Sequence, residues 1–118
     1  MNNTETCVEL AINTARERNL EHIVVASSSG STAGLFRGHP GLNVACVSLA
    51  YGYGKDGGTT MTVDAMNELT HDGIRVLNTT HVLSGAERGI SKKHGGISPV
   101  EIMADTLRMF GQGTKVCV

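Results

Sequence analysis

Residues 22–33 read His22-Ile23-Val24-Val25-Ala26-Ser27-Ser28-Ser29-Gly30-Ser31-Thr32-Ala33. The run from Ile23 to Ala26 is apolar, mostly β-branched and without polar alternation, which predicts a buried strand. Four serines, a glycine and a threonine follow it directly, and Ser31 to Phe36 then suggests a short helix. A strand that passes through a hydroxyl- and glycine-rich turn into a helix start offers unpaired backbone N–H groups and side-chain donors to an anion. On that reading Ser27, Ser28, Ser29, Gly30, Ser31 and Thr32 are the contacts of a phosphate. The same residues also read as a tight polar turn whose hydroxyls cap the next helix. Locally the two readings stand level. The Gly-x4-Gly-Lys-Ser/Thr phosphate loop is absent, and so is the Gly-x-Ser-x-Gly nucleophile elbow.

The chain around this stretch has 118 residues, enough for one domain. Hydrophobic residues make up 40% and aromatics only 3%, so the core must be aliphatic. A net charge of −1 leaves no basic surplus to hold a nucleic acid. Cys7, Cys46 and Cys117 are far apart and odd in number, so they read as buried, reduced thiols of an intracellular protein. No apolar run approaches about 18 residues, and the start lacks the pattern of a signal peptide, which makes the cytoplasm the expected location.

Outward from the first strand, residues 3–18 predict an amphipathic helix with Val8, Ala11, Ile12 and Ala15 on one face. Asn2 and Glu5 resemble a capping box at its start, and Asn19 suits a left-handed stop at its end. Residues 43–50 form a second continuous apolar strand. Two such runs predict a parallel sheet covered by helices on each side. Residues 51–58, with four glycines, form a loop at the edge where open α/β sheets bind ligands. Gly52, Gly54 and Gly57 match the spacing of a dinucleotide loop, but no helix pattern follows at once. A helix over 62–72 has Thr62 as its N-cap, Gly73 as its stop and Val63, Met66 and Leu69 on one face. Strand three follows at 74–78.

A second polar stretch follows this strand: Thr80-His81-Val82-Leu83-Ser84-Gly85-Ala86-Glu87-Arg88-Gly89. Read functionally, it is the other half of one pocket, with Arg88 gripping a phosphate and His81 as a hydrogen-bond donor or acid/base group. Read plainly, it is a surface loop held by a Glu87 ion pair. Residues 92–96 read as loop. Ser98-Pro99-Val100-Glu101 has the residues of a capped helix start, and that helix buries Val100, Met103, Ala104 and Leu107 before Gly111. Residues 115–118 read as a terminal strand. The five histidines lack metal-ligand spacing. Tyr51 and Tyr53 read as loop anchors or as a stacking surface for a planar ring.

Three segments resemble the stand-alone proteins that are similar to the pyruvate kinase C-terminal domain: residues 22–33, residues 80–91 and residues 99–118. The resemblance implies a three-layer α/β/α sandwich with a mainly parallel sheet. In pyruvate kinase the related domain has no catalytic residues and binds a regulatory sugar phosphate at the turn corresponding to Ser27–Thr32. Some stand-alone members are similar to flavin-mononucleotide binders. The resemblance therefore implies a non-catalytic binding module for a phosphorylated ligand, flavin mononucleotide (FMN) first and a sugar phosphate second. The site would comprise Ser27 to Thr32 together with His81, Ser84, Gly85 and Arg88. The alternatives are a flavin-dependent enzyme with His81 as acid/base, or one half of a split protein. Relatives continue with a further helix, strand and glycine-rich turn. The expectation is thus a single domain over 1–118, incomplete at its C-terminal end, whose open sheet edge pairs with another copy or a partner.

Overall fold

A computed structural model describes residues 3–54 and 57–118; Asn2 of the expected capping box and Lys55 and Asp56 of the glycine-rich loop lie outside the described residues. The architecture is mixed α/β, with a three-stranded parallel sheet and six helices among the described residues. Helix α1 spans Asn3–Glu17, β1 His22–Ala26, α2 Ser31–Gly34, β2 Asn43–Val47, α3 Val63–His71 and β3 Arg75–Leu77. A 3-10 turn at Val82–Ser84 leads to α4 (Ala86–His94), α5 (Pro99–Arg108) and α6 (Gln112–Cys117). The strands lie in the order β1-β2-β3, with Val24 opposite Ala45 and Ala45 opposite Arg75.

The local signals that mark the first half act as read. Asn19 adopts φ 54, and Leu20 N–H bonds back to Ala15 C=O at 2.8 Å to close α1. Thr62 Oγ1 accepts the Ala65 N–H at 3.2 Å, and Gly73, with φ 81, ends α3. The core forms on one sheet face, where Ile23, Val25, Val44, Cys46 and Val76 meet Val8 and Ile12 of α1, Ala33 of α2 and Leu69 of α3. The strand period of two sends Val24, Ala45, Arg75 and Leu77 to the opposite face. That face is partly open: Val24 is 50% exposed and Leu77 53%. Helix cover on both faces is therefore incomplete. Of the last three helices, α4 and α5 pack on one another and on the 3-10 turn, and α6 packs on α5 and on β1 beside Ala26, which leaves the Val24 end of the second face uncovered.

Several expected positions differ. Ala11 and Val63 are exposed because they sit at the edges of their apolar stripes. In α5 only Ala104 is fully buried; Val100 and Leu107 are half-buried and Met103 is 59% exposed. Cys7 lies on the outer face of α1 and is exposed, whereas Cys46 is buried and Cys117 half-buried. Burial pushes the Cys46 thiol up, with Cys117 adding to the rise. Burial also raises Cys117, against a hydrogen bond to the backbone of Ala26 that lowers it. All three cysteines are free.

Residues 86–94 form a helix rather than the polar stretch and loop expected there. Glu87 in its first turn and Lys92, Lys93 and His94 in its last turn suit the helix dipole. Gly95 and Gly96, both at positive φ, then stop it. Residues 112–117 are also helical, not the strand read from Lys115 to Val118. A four-residue apolar run does not distinguish a strand from a buried helical turn. Here the i to i−4 bonds from Lys115 N–H to Gly111 C=O and from Val118 N–H to Thr114 C=O decide it. Gly113 also sits close to β1, where an added Cβ would lie 3.6 Å from the Ala26 side chain.

Candidate functional site

The first turn is built by the end of β1. Ser27 N–H still bonds to Val47 C=O (3.0 Å), so Ser27 belongs to the sheet and is buried, with little side-chain surface for a ligand. Ser28 and Ser29 are exposed, and the Ser28 carbonyl accepts the Thr60 hydroxyl at 3.0 Å. That bond ties the turn to the segment entering α3. Ser29 Oγ lies 3.1 Å from Ser31 Oγ and accepts the Ser31 N–H at 3.4 Å. Gly30 turns the chain at φ 90 and ψ −12, and α2 begins there with no cap bond from Gly30 itself. Ser29 Oγ thus serves the first N–H of α2, as the capping reading expects, while its exposure and that of the Ser28 and Ser31 hydroxyls leaves them open to a ligand as well; Thr32 is half-buried in the first turn of α2.

A cavity of about 330 Å³ opens beside this turn, lined by Ser29, Gly30, Ser31, Arg37, Glu68 and Leu69 among others. Arg37 is the cation that the sequence reading missed. Its Nε lies 2.6 Å from Asp72 Oδ2, and its Nη2 lies 3.7 Å from Glu68 Oε2. An arginine six residues beyond Ser31 was the available signal, but α2 has to end early for the chain to fold Arg37 back.

The second stretch converges on Ser84. Tyr53 Oη donates to the Ser84 carbonyl at 3.2 Å, and Arg88 donates to the same carbonyl. The Arg88 guanidinium also lies over the Tyr53 ring, 5.5 Å from its centre. Tyr53 thus anchors the loop. Arg88 Nε is 3.3 Å from Glu87 Oε1, and Glu87 itself is only 2% exposed. Lys115 from α6 donates to Ser84 Oγ at 2.6 Å. Gly85 starts α4 with no side-chain cap bond. Glu87 and Arg88 line a polar cavity with Glu101, Asp105, Arg108 and Lys115. His81 lines a third cavity, of about 230 Å³, together with Lys115.

The two turns end on the same edge of the sheet but line different cavities. With β2 between β1 and β3, the strand ends that carry them stand about 10 Å apart. Ser27 to Thr32 form one group, Ser84, Gly85 and Arg88 another, and His81 faces a space of its own. Among the described residues, no group of three or more His, Cys, Asp or Glu side chains could hold a metal ion, and no helix is long and apolar enough to cross a membrane.

No family model matches the chain. What the first turn can do chemically follows from its own groups. Three exposed hydroxyls and a nearby guanidinium can donate to phosphate oxygens, and hydrogen bonds to an ionised acceptor are the stronger kind. The four-residue α2 adds little dipole of its own.

Proposed function

We propose that the chain is a binding module for a phosphorylated small ligand, FMN or a sugar phosphate, with the phosphate at the first turn. One observation carries this reading. Ser28, Ser29 and Ser31 surround left-handed Gly30 at the C-terminal end of a parallel strand, beside the cavity that holds Arg37. Ligands of open α/β sheets bind at that edge. Arg37 exchanges its ion pairs with Glu68 and Asp72 for the phosphate. Ser84, Gly85, Arg88 and His81 then meet the far end of an elongated ligand that passes the end of β2. The reading extends to the finer fold, a three-layer α/β/α sandwich of the pyruvate kinase C-terminal type in the cytoplasm. Its support is the parallel sheet, with α1, α2 and α3 on one face, and the three resembling segments.

The turn residues fit the phosphate end of FMN. The cavity beside them is lined by Leu35, Ala65 and Leu69 and no aromatic side chain, so it offers the ring no stacking partner and the ring lies farther along the sheet edge. When bound, FMN supplies a redox-active ring. The chain's own part is to hold the phosphate and orient the ligand along the sheet edge. A flavin-dependent enzyme is the second reading, and one observation favours it: His81 Nε2 is buried without a hydrogen-bond partner.

Titrating FMN against its own fluorescence, with a thermal-shift panel of sugar phosphates beside it, tests the module. Quenching or a shift is expected. Ser29→Ala combined with Ser31→Ala should weaken binding by about tenfold to a hundredfold, the size of one hydrogen bond to a charged group. No quenching and no shift across the panel removes the reading. The half-open sheet face with Val24 and Leu77 supports assembly with a second copy or a partner chain. Light scattering at micromolar concentration should give more than the 12.4 kDa of one chain; a clean monomer sinks self-assembly.

A further inference from the structure

We propose that the outer face of α5 is the surface through which two copies of this chain associate, with the two α5 helices antiparallel about a twofold axis. This contact rests on the self-assembly reading, not on the phosphate reading, and lies on α5 instead of the half-open sheet face.

Helix α5 is apolar on two sides. On the side that packs against α4 and α6, Ala104 is fully buried and Val100 and Leu107 are half-buried. On the other, Ile102, Met103, Thr106, Met109 and Phe110 recur at i, i+1, i+4, i+7 and i+8, the spacing of one continuous helix face. Met109 and Phe110 keep to that face because their N–H groups bond to Thr106 and Leu107 C=O at 3.2 and 3.1 Å, which carries the turn past Arg108. All five residues are exposed, Met109 at 83% and Phe110 at 76%. Thr106 offers little polarity, since its Oγ1 donates to Ile102 C=O at 2.8 Å within the helix. Ile97 extends the face. It stands at N′ and Ile102 at N4, positions that lie together at a helix start, and it is 75% exposed. A helix that is apolar all round is buried all round, yet the outer half of this one meets water.

The size of the face fits a protein partner. At on the order of 200 Å² for a large side chain, Ile97, Ile102, Met103, Met109 and Phe110 leave roughly 700 Å² in solvent. The largest apolar patch of a soluble monomer is about 300–600 Å², whereas each partner in a standard interface buries about 800 Å².

Its pattern fits a second copy. The face carries no charge, so one such patch complements another, as a twofold contact requires. One border holds a charge of each sign, with Arg108 paired to Asp105. About a twofold axis at Thr106 the second helix runs antiparallel. Ile102 then meets Phe110 of the second copy, and Met103 meets its Met109. The two Asp105–Arg108 pairs lie along the same border in opposite order, so each Asp105 gains a second cationic neighbour, which fixes the register. A parallel arrangement puts the pairs on opposite borders and loses that contact. The open sheet face is the poorer surface, because exposed Arg75 stands on it two residues from Leu77 on the same strand.

Sedimentation equilibrium on the whole chain tests this. The unmodified chain should be a dimer of the 12.4 kDa protomer at micromolar concentration. Phe110→Ala should raise the dimer Kd about 30-fold or more, the effect of a central aromatic anchor. Met103→Glu combined with Phe110→Glu should leave only monomer. Leu10→Glu, at a 66% exposed position on α1, and Val24→Lys, on the open sheet face, should each leave the Kd within about twofold. With a short bis-maleimide, Thr106→Cys should cross-link two copies through position 106 about tenfold or more faster than the exposed Cys7 links them, as peptide mass mapping reads it. A monomeric unmodified chain overturns self-assembly altogether. A dimer that survives Met103→Glu with Phe110→Glu, or that Val24→Lys dissolves, overturns the α5 contact alone. If the double glutamate variant loses its fold, linkage at position 106 no faster than at Cys7 overturns the contact in its place.

Discussion

Replacing Leu69 by alanine is expected to lower the free energy of unfolding by about 2–5 kcal/mol. Leu69 is 2% exposed and belongs to the core cluster in which α3 meets α1, α2 and the sheet. It also approaches the first turn, where its Cδ1 would lie 3.0 Å from a Cβ added at Gly30. Truncation loses the transfer free energy of the side chain. It also leaves a cavity that the backbone of Gly30, with no side chain to move in, cannot fill. Domains of this size are stable by only about 5–15 kcal/mol, so the loss is a large share. Urea denaturation measures it, as a lower midpoint with an unchanged slope. Val63→Ala, on the same helix but 66% exposed, should change stability by no more than about 0.5 kcal/mol. A cost for Leu69→Ala as small as that for Val63→Ala would mean that α3 is not docked on the sheet through this residue.

The contrast between Leu69 and Val63 also shows what the sequence makes legible. Both occur at helical spacing on one apolar stripe, and periodicity alone ranks them together. Only the docking angle of α3 separates them. Signals that act within a few residues were readable: the β-branched run of β1, the left-handed Asn19, the Thr62 cap and the Ser98-Pro99 start of α5. Ser98 Oγ indeed accepts the Glu101 N–H at 3.3 Å, although the Glu101 carboxylate turns away to Ser91 Oγ. Helix α4 was harder to read because Gly89 interrupts it and its basic end resembles a solvated loop. Helix α6 was hidden because Lys115, Val116 and Cys117 look like a strand until Ser84 and Ala26 are known to be their neighbours. The candidate site divides in the same way. The serine turn is local and was legible. Arg37 and Lys115 reach their places through tertiary folding, and whether the two turns share a pocket depends on strand order, which places β2 between them.

Gly30→Val should be the most damaging change within the turn itself, costing about 2–5 kcal/mol when left-handed strain and overpacking are combined. Gly30 has φ 90, which a β-branched residue adopts only under strain. Its Cβ position points at Leu69 Cδ1, 3.0 Å away, with Met61 Cε at 3.7 Å, and both of those side chains are buried. A valine therefore forces either the turn to change its dihedral angles or α3 to shift, and either movement displaces the Ser29 and Ser31 hydroxyls. Stability and phosphate affinity should fall together by the largest amount here, whereas the Ser29→Ala and Ser31→Ala pair should cost stability only about 0.5–2 kcal/mol, the size of the lost bond from the Ser31 N–H to Ser29 Oγ. A double-mutant cycle separates the two contributions. Gly30→Ala has the same close contact without β-branching, and Leu69→Ala removes the atom it meets. The combined variant should be more stable than the sum of the two single losses, by roughly 0.5–3 kcal/mol of coupling. What remains after that correction is the cost of holding a non-glycine residue at φ 90. Strict additivity, with denaturation midpoints predicted by the single variants, would show that Leu69 does not pack on the turn. Retained stability in Gly30→Val would show that the left-handed turn is not needed to start α2.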